Sequence, residues 1–319
     1  MSSKIAVVIP AFKVSNSIEE VIQGIPEIVS NIIVVDDKCP KNSGKIAGKV
    51  HIKQGQKLHI IFHDKNKGVG GAVVSGYKKA LLLNSDCVVK LDGDGQMDIK
   101  FLEVLVEPIS KGLADYSKGN RFVDFKSLRT MPKVRLFGNS VLSFVLKMVS
   151  GYWDIMDPTN GYTCISKRAL KKINMEKLAN RYFFESDMLV NLNINKCVVK
   201  DIPMPSKYGD EESSLNVNKI LFQFPPYLFA RFTRRLFLKY YIYDFNMASV
   251  YILIGFPMLV WGLCFGLYKW VEALQNNTLT STGTVMLSVL PLILGVQLIL
   301  QAINIDINSV PKKKNEVIH

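Results

Sequence analysis

Two long stretches near the end of this chain contain no charged residue, and they constrain its fold more than any other feature. They run from Phe245 to Tyr268 and from Thr284 to Ile305. Each is long enough to cross the hydrocarbon core of a bilayer, which is about 30 Å thick. Lipid offers backbone amides no hydrogen-bond partner, so such stretches must be helical. The sequence therefore predicts two transmembrane helices, in which Pro257 and Pro291 are tolerated as kinks.

The charges beside these stretches predict their orientation. Basic residues flank the pair on its outer sides: Arg234, Arg235 and Lys239 before the first stretch, and Lys312, Lys313 and Lys314 after the second. The short connection between the stretches carries only Lys269 and Glu272 as charged residues. Basic flanks stay in the cytoplasm, and the apolar run Ile5 to Ile9 is too short for a signal peptide. We expect a multi-pass protein of the cell (inner) membrane with both termini in the cytoplasm.

The chain is strongly basic, and the place of the charge indicates its partner. A net charge of +13 suits nucleic acid, an anionic membrane or phosphorylated ligands. In Tyr227 to Tyr243 the basic residues recur on one helical face, and apolar residues fill much of the rest. The basic residues are Arg231, Arg234, Arg235 and Lys239. This pattern predicts an amphipathic helix that lies at the membrane interface and binds anionic lipids. No nucleic-acid-binding motif occurs, so nucleic acid is not an expected partner.

Strands alternate with helices through the first part of the chain. Strands are predicted at 4–10, 31–35, 58–62 and 87–91, and helices at 17–28, 43–50 and 70–83. This alternation predicts an α/β domain with a mostly parallel, doubly wound sheet, whose ligands bind at the carboxyl ends of the strands. We therefore divide the chain into a cytoplasmic domain (1–215), a juxtamembrane amphipathic segment (216–243), two transmembrane helices (244–306) and a basic cytoplasmic tail (307–319).

An acidic motif directly follows the fourth predicted strand. Asp92, Asp94 and Gln96 alternate with Gly93 and Gly95, so their side chains can converge on one point. Oxygen ligands of this kind suit Mg²⁺ or Mn²⁺ that holds a diphosphate. A polar turn after a strand is the alternative. A calcium loop is excluded, because Met97 stands at the required glycine position and a strand precedes the motif.

Two further strands also end in polar residues. Asp36 and Asp37 close the second strand, and the run from Asp64 to Gly71 closes the third and opens a helix. The glycines of this run fit neither a dinucleotide fingerprint nor a P-loop, so a turn with close helix packing is their expected role. Three successive polar strand ends favour a nucleotide pocket over a solvated turn.

These motifs resemble the family-2 glycosyltransferases with a GT-A fold, which is Rossmann-like. The resemblance rests on six segments in the family's order: Val8-Ile9-Pro10, Val34-Val35-Asp36-Asp37, Asn66-x-Gly68, Asp92-Gly-Asp94-Gly-Gln96, Gly119-Asn120-Arg121 and Asp157-Pro158-Thr159-Asn160-Gly161-Tyr162. The juxtamembrane helix and the two terminal spans are similar to those of the polyprenyl-phosphate glycosyltransferase branch. The resemblance thus covers essentially the whole chain.

The resemblance implies roles for single residues. The first strand end at Pro10 belongs to the nucleotide site, where Asp36 and Asp37 would contact base and ribose. The metal and the donor diphosphate would be held by Asp92, Asp94 and Gln96. Phosphates of donor and acceptor would meet Arg121 and Arg135, and also Lys207, where the family usually has an arginine.

Three acidic residues keep two interpretations each. Asp157 is the candidate general base, if one is used, and a turn residue otherwise. Glu185 and Asp187 match an acidic family position near the acceptor cleft. They also fit the first turn of a helix, where carboxylates are favoured.

The resemblance implies an inverting transfer of a sugar from a nucleotide sugar to the phosphate of a polyprenyl phosphate. The segment after Pro10 departs from the family pattern, and we favour a uridine donor such as UDP-glucose over GDP-mannose. A processive polysaccharide synthase is disfavoured, because no Gln-x-x-Arg-Trp segment occurs. An inactive membrane scaffold would not need the intact acidic motif. Whether the chain forms a homo-oligomer is left open.

Overall fold

The computed structural model describes residues 3–122, 133–181, 183–205 and 217–313. Its strands are β1 (Ile5–Ala11), β2 (Val29–Asp36), β3 (Lys57–Phe62), β4 (Cys87–Lys90), β5 (Tyr116–Asn120), β6 (Thr163–Ser166) and β7 (Val199–Pro203). Its helices are α1 (Ile18–Gly24), α2 (Ser43–Ala47), α3 (Gly68–Leu82), α4 (Leu102–Ser110), α5 (Lys133–Ser150), α6 (Lys167–Lys172), α7 (Phe184–Ile194), α8 (Val217–Phe237), α9 (Met247–Asn276) and α10 (Thr282–Asn308). A π-helical turn, Leu238–Tyr243, follows α8.

The strands form one sheet in the order β3-β2-β1-β4-β6-β5-β7. Strands β1, β2, β3 and β4 pair in parallel, as do β5 and β7, whereas β6 runs antiparallel to both β4 and β5. The predicted α/β class with a mostly parallel sheet is confirmed. Because β6 is reversed, β4 and β5 point the same way and the segment before β6 enters at their carboxyl ends.

The central strands are apolar because helices cover both faces of the sheet. Every residue of β1 except Pro10 is buried, and the same is true of β2 except Ser30. Such continuous apolar runs are typical of parallel strands. Helix α3 lies so close to β1 that a Cβ at Gly76 would stand 2.3 Å from Val8.

The glycine run at the start of α3 packs closely, as its sequence predicts. Gly68 has a φ of 81°, and a Cβ at Gly70 would stand 2.2 Å from the carbonyl oxygen of Ala179. A side chain at either position would therefore strain the backbone or displace the segment before α7.

The chain divides into two compact units. Residues up to Phe232, together with those from Pro311, form one unit, and Thr233–Val310 forms the other. The second unit holds α9 and α10, which are long and apolar enough to cross a membrane, with mean hydropathy of 2.1 and 2.2. They approach closely at glycines, since a Cβ at Gly262 would stand 2.7 Å from the Ser288 carbonyl oxygen.

One expectation for the amphipathic segment is wrong. The sequence pattern predicts that Arg235 faces lipid headgroups, yet it is fully buried and donates to both carboxylate oxygens of Asp306, at 2.8 and 3.0 Å. Lys239 is also buried and lies 3.0 Å from Asp306 and 2.8 Å from Ser309. The physical reason is that Asp306, near the end of α10, supplies a counterion to the basic face, and a buried cation needs one.

Candidate active site

The carboxyl ends of β4 and β5 and the segment before β6 meet at one edge of the sheet. The backbone amide of Gly119 in β5 donates to the Tyr162 carbonyl at 2.9 Å, and the buried Lys118 ammonium donates to the Asn160 carbonyl. This edge brings together four of the predicted site residues: Asp92, Arg121, Asp157 and Glu185. It is the place where α/β sheets bind ligands.

A buried lysine that sequence reasoning missed stands at the centre of this edge. The Nζ of Lys90 lies 2.9 Å from Asp92 Oδ1 and 3.2 Å from Glu185 Oε1, and its side chain is only 2% exposed. Burial alone would lower the pKa of Lys90, but the two carboxylates outweigh it and raise that pKa above its ordinary value. The side chain is therefore an ammonium at neutral pH. The sequence signal for this residue is a lysine at the end of the otherwise apolar strand β4.

Gly161 completes the pocket around this ammonium. A Cβ at that position would stand 2.5 Å from Lys90 Nζ and 3.2 Å from Asp92 Oδ2. A side chain at position 161 would therefore have to displace the lysine ammonium from its place beside the two carboxylates.

The rest of the acidic motif forms a partly exposed turn. The Oδ1 of Asp94 accepts a hydrogen bond from the Gln96 amide at 3.0 Å, and Gly95 has a φ of 78° that favours glycine. Across the described ranges, no group of three or more His, Cys, Asp or Glu side chains is arranged to hold a metal. The predicted ligand set contains two carboxylates and one amide, so it is not a group of this kind. Its role as a metal site therefore stays a prediction. The half-buried Asp92 and Asp94 are hard oxygen donors at a strand end, and this donor set fits Mg²⁺ or Mn²⁺.

Arg121 and Asp157 form a two-pronged ion pair. The guanidinium donates from Nε to Oδ2 at 2.7 Å and from Nη2 to Oδ1 at 3.2 Å, and the Thr159 hydroxyl also donates to Oδ1 at 3.2 Å. Burial favours a higher pKa for Asp157, but Arg121 outweighs it and lowers that pKa. Arg121 remains 44% exposed and Asp157 is fully buried. This geometry favours the structural interpretation of Asp157 over the general base.

The two aspartates at the end of β2 point their carboxylates into the protein. Asp36 accepts from the backbone amides of Cys39 at 2.6 Å and Gly44 at 2.7 Å. Asp37 bonds to His63 at 2.7 Å and accepts from the amides of Lys67 and Gly68 at 2.8 and 2.7 Å. Pro10 lies in β1 opposite Val35. Contacts of these residues with base and ribose stay predictions.

The two acidic residues of α7 have different surroundings. Glu185 faces Lys90, whereas Asp187 is fully buried and lies 2.8 Å from Arg231 in α8. Asp187 also accepts from the Ala179 amide at 2.8 Å, so it holds the segment before α7 in place. The backbone of Arg135 lies in α5, but its side chain and the whole of Lys207 fall outside the described residues.

Asp201 in β7, also missed from the sequence, joins the two segments that carry Arg121 and Asp157. Its Oδ2 accepts from the Met156 amide at 2.7 Å and from the Asn120 side chain at 3.2 Å. Burial raises the pKa of Asp201 to about 6. The folded protein thus binds a proton at Asp201 more tightly than the unfolded chain does.

This shift predicts a pH-dependent effect of Asp201→Asn on stability. As pH rises from about 4 to about 6, the unfolded chain ionises Asp201 before the folded chain does, so the contribution of Asp201 to wild-type stability falls. The melting temperature of Asp201→Asn minus that of the wild type should therefore be larger at about pH 7.5 than at about pH 4.5. Thermal melting of the full chain in detergent measures it. The exposed Asp64→Asn is the control, and an equal difference for Asp201→Asn at both pH values would contradict the prediction.

The chain is similar to known glycosyltransferases in sequence and in fold. The model of glycosyl transferase family 2 matches residues 6–174. A UDP-N-acetylglucosamine dolichyl-phosphate N-acetylglucosaminyltransferase from Methanococcus voltae is 30% identical over 68% of this chain and 91% of that protein. A polyprenol monophosphomannose synthase from Mycolicibacterium smegmatis is 26% identical over 54% of this chain and 65% of that protein. The crystal structure of glucosyl-3-phosphoglycerate synthase from Mycobacterium tuberculosis with Mn²⁺, UDP and product has a TM-score of 0.52 at 16% identity, over 73% of this chain and 80% of that one.

Proposed function

This chain belongs to glycosyl transferase family 2, and on that basis we propose that it transfers a sugar from a nucleotide sugar to the phosphate of a membrane polyprenyl phosphate. The fold agrees with the family, since solved GT-A structures resemble the sheet and its helices. The observation that carries the proposal is the exposed Arg121 guanidinium, held by Asp157 at the same sheet edge as the acidic motif. A guanidinium fork matches phosphate oxygens.

The acceptor supplies its own nucleophile. A phosphate monoester has a second pKa near 6, so at cytoplasmic pH it is a dianion and needs little help from a base. A phosphate oxygen would attack the anomeric carbon in line while the bond to the nucleotide diphosphate breaks. The sugar is then linked to the lipid through one phosphate with inverted configuration, and free nucleotide diphosphate leaves. This route agrees with a site whose best base candidate, Asp157, already binds Arg121.

The residues of the site have to overcome repulsion between two anionic substrates. Arg121 would neutralise phosphate charge at the sheet edge, with Arg135 and Lys207 as further predicted cations. Asp92, Asp94 and Gln96 would hold Mg²⁺ or Mn²⁺, and the ion, when bound, would neutralise the diphosphate of the donor. Solved structures of the fold that contain Mn²⁺ or Mg²⁺ together with UDP support this assignment.

A UDP-linked sugar is the donor that we propose. The Methanococcus voltae relative is named for a UDP sugar, and the solved neighbour was crystallised with UDP. GDP-mannose is the second candidate, because several relatives are named as mannose transferases or synthases. A panel of nucleotide sugars, read by the mass of the glycolipid, distinguishes the two.

The membrane arrangement is part of the proposal. Two helices able to span a bilayer and a lipid acceptor fit an integral membrane enzyme. We propose that the first unit and both termini lie in the cytoplasm, where nucleotide sugars are made, and that anionic lipids contact the juxtamembrane segment. The oligomeric state is left open.

The acceptor phosphate is the test of this function. The full chain in detergent should glycosylate polyprenyl phosphate and leave free polyprenol unmodified, because an alcohol of high pKa needs a strong base, and in the described part of the site the base candidate Asp157 is already paired with Arg121. Mass spectrometry of the lipid products measures the result. Equal transfer to the free alcohol, or a growing polysaccharide, would exclude the proposed reaction.

A further inference from the structure

We propose that Lys90 is a positioning residue of this active site. Its buried ammonium keeps the carboxylates of Asp92 and Glu185 apart and fixes Asp92 where the acidic motif needs it. The inference rests on the proposed function only for the identity of the substrates. The contacts and charges of Lys90 that support the inference are independent of the substrates.

The contacts of Lys90 join two separate elements. Asp92 follows β4 and lies 2.9 Å from the ammonium, while Glu185 stands in the first turn of α7 at 3.2 Å. Gly161 closes the pocket on another side, because a Cβ there would stand 2.5 Å from Nζ. An ammonium enclosed in this way has little freedom to move, so it sets the position of the Asp92 carboxylate.

The charges make the lysine necessary. Lys90, Asp92 and Glu185 together carry one net negative charge. Without the ammonium, two carboxylates would share one poorly solvated pocket, where their repulsion is stronger than in water. They would then take up a divalent cation between them, since such ions prefer sites with more carboxylate oxygens. This change moves Asp92 away from its place in the acidic motif.

The test replaces Lys90 by methionine, which is similar in length and uncharged. Mn²⁺ binding to the full chain in detergent, without donor or acceptor, is measured from the electron paramagnetic resonance signal of the free ion. For Lys90→Met we expect the Kd of Mn²⁺ to fall roughly threefold or more, and kcat for sugar transfer to fall roughly tenfold or more.

A second substitution separates charge from packing. Lys90→Met with Glu185→Gln restores one net negative charge, so the Kd of Mn²⁺ should return to within about twofold of the wild type. Lys239→Met is the matched control, because it removes another buried ammonium that faces a carboxylate, 3.0 Å from Asp306, and it contacts none of the candidate site residues. Its Kd for Mn²⁺ should stay within about twofold of the wild type.

The outcomes are distinct. A folded Lys90→Met protein that binds Mn²⁺ as the wild type does would show that Lys90 only fills space, and the inference would be overturned. If Lys90→Met does not fold, the double variant decides: wild-type Mn²⁺ affinity supports the inference, and a second failure to fold overturns it. The Mn²⁺ measurement needs no substrate. A chain that behaves as expected but glycosylates no lipid phosphate would therefore contradict the proposed function alone.

Discussion

Replacing Asp94 by asparagine should reduce sugar transfer by a hundredfold or more, on the order of 3 kcal/mol of transition-state stabilisation. The substitution preserves the size of the side chain and its oxygen can still accept from the Gln96 amide, as it does at 3.0 Å in the wild type. What it removes is the negative charge that would bind the divalent cation, and with the cation the group that would hold the donor diphosphate. The loss should therefore appear in kcat and in Mn²⁺ binding, without a change in melting temperature.

Asp98→Asn is the matched control for this result. Asp98 lies on the same turn, and its Oδ1 accepts from the Lys100 amide at 3.1 Å, a local contact of the same kind. It is not one of the predicted ligands, so transfer should stay within about twofold of the wild type. Full turnover by Asp94→Asn in the presence of excess chelator would refute the metal assignment.

Replacing Asp157 by asparagine should lower sugar transfer about thirtyfold, or about 2 kcal/mol. The asparagine places an NH₂ group against the N–H donors of Arg121, so the two-pronged contact at 2.7 and 3.2 Å is lost. The guanidinium can then leave the position in which it would meet phosphate. Steady-state kinetics with a UDP sugar and polyprenyl phosphate measure the loss. Thr159→Val removes only the hydroxyl contact to Asp157 and should cost much less.

A double-mutant cycle distinguishes the two interpretations of Asp157. If the carboxylate acts only by holding Arg121, then Asp157→Asn should add little to the loss caused by Arg121→Ala. A general base would instead give additive losses and a pH-rate profile that loses its acidic limb in Asp157→Asn. If the losses of activity are additive and the pH-rate profile changes in this way, Asp157 acts as the general base and the purely structural interpretation is wrong.

The sequence predicted those parts of the molecule that depend on local patterns. Strand and helix alternation, the apolar spans and the turn at Asp92 each rest on residues that are neighbours in the chain. The reversed strand β6 was not predicted, since Thr163–Ser166 is too short to show a period and its direction depends on its partners β4 and β5. The placement of the segment around Asp157 follows from that reversal.

Ion pairs between segments that are far apart in the chain could not be predicted from the sequence either. Lys90 meets Glu185, and Arg235 meets Asp306, only because the fold brings separate elements together. For Arg235 the local pattern was misleading, because a basic residue next to an apolar span usually meets lipid headgroups. A lone aspartate at the end of the second span was the clue that a basic partner must lie nearby.

The close approach of Gly161 to Lys90 also constrains how this site can evolve. Alanine at position 161 would collide with the ammonium, because its Cβ would stand 2.5 Å from Lys90 Nζ. A methyl group at position 161 would therefore have to displace the ammonium from its place between the two carboxylates, whereas a lineage that has first replaced Lys90 by a shorter residue has room for it. The easier order of the two substitutions begins at position 90.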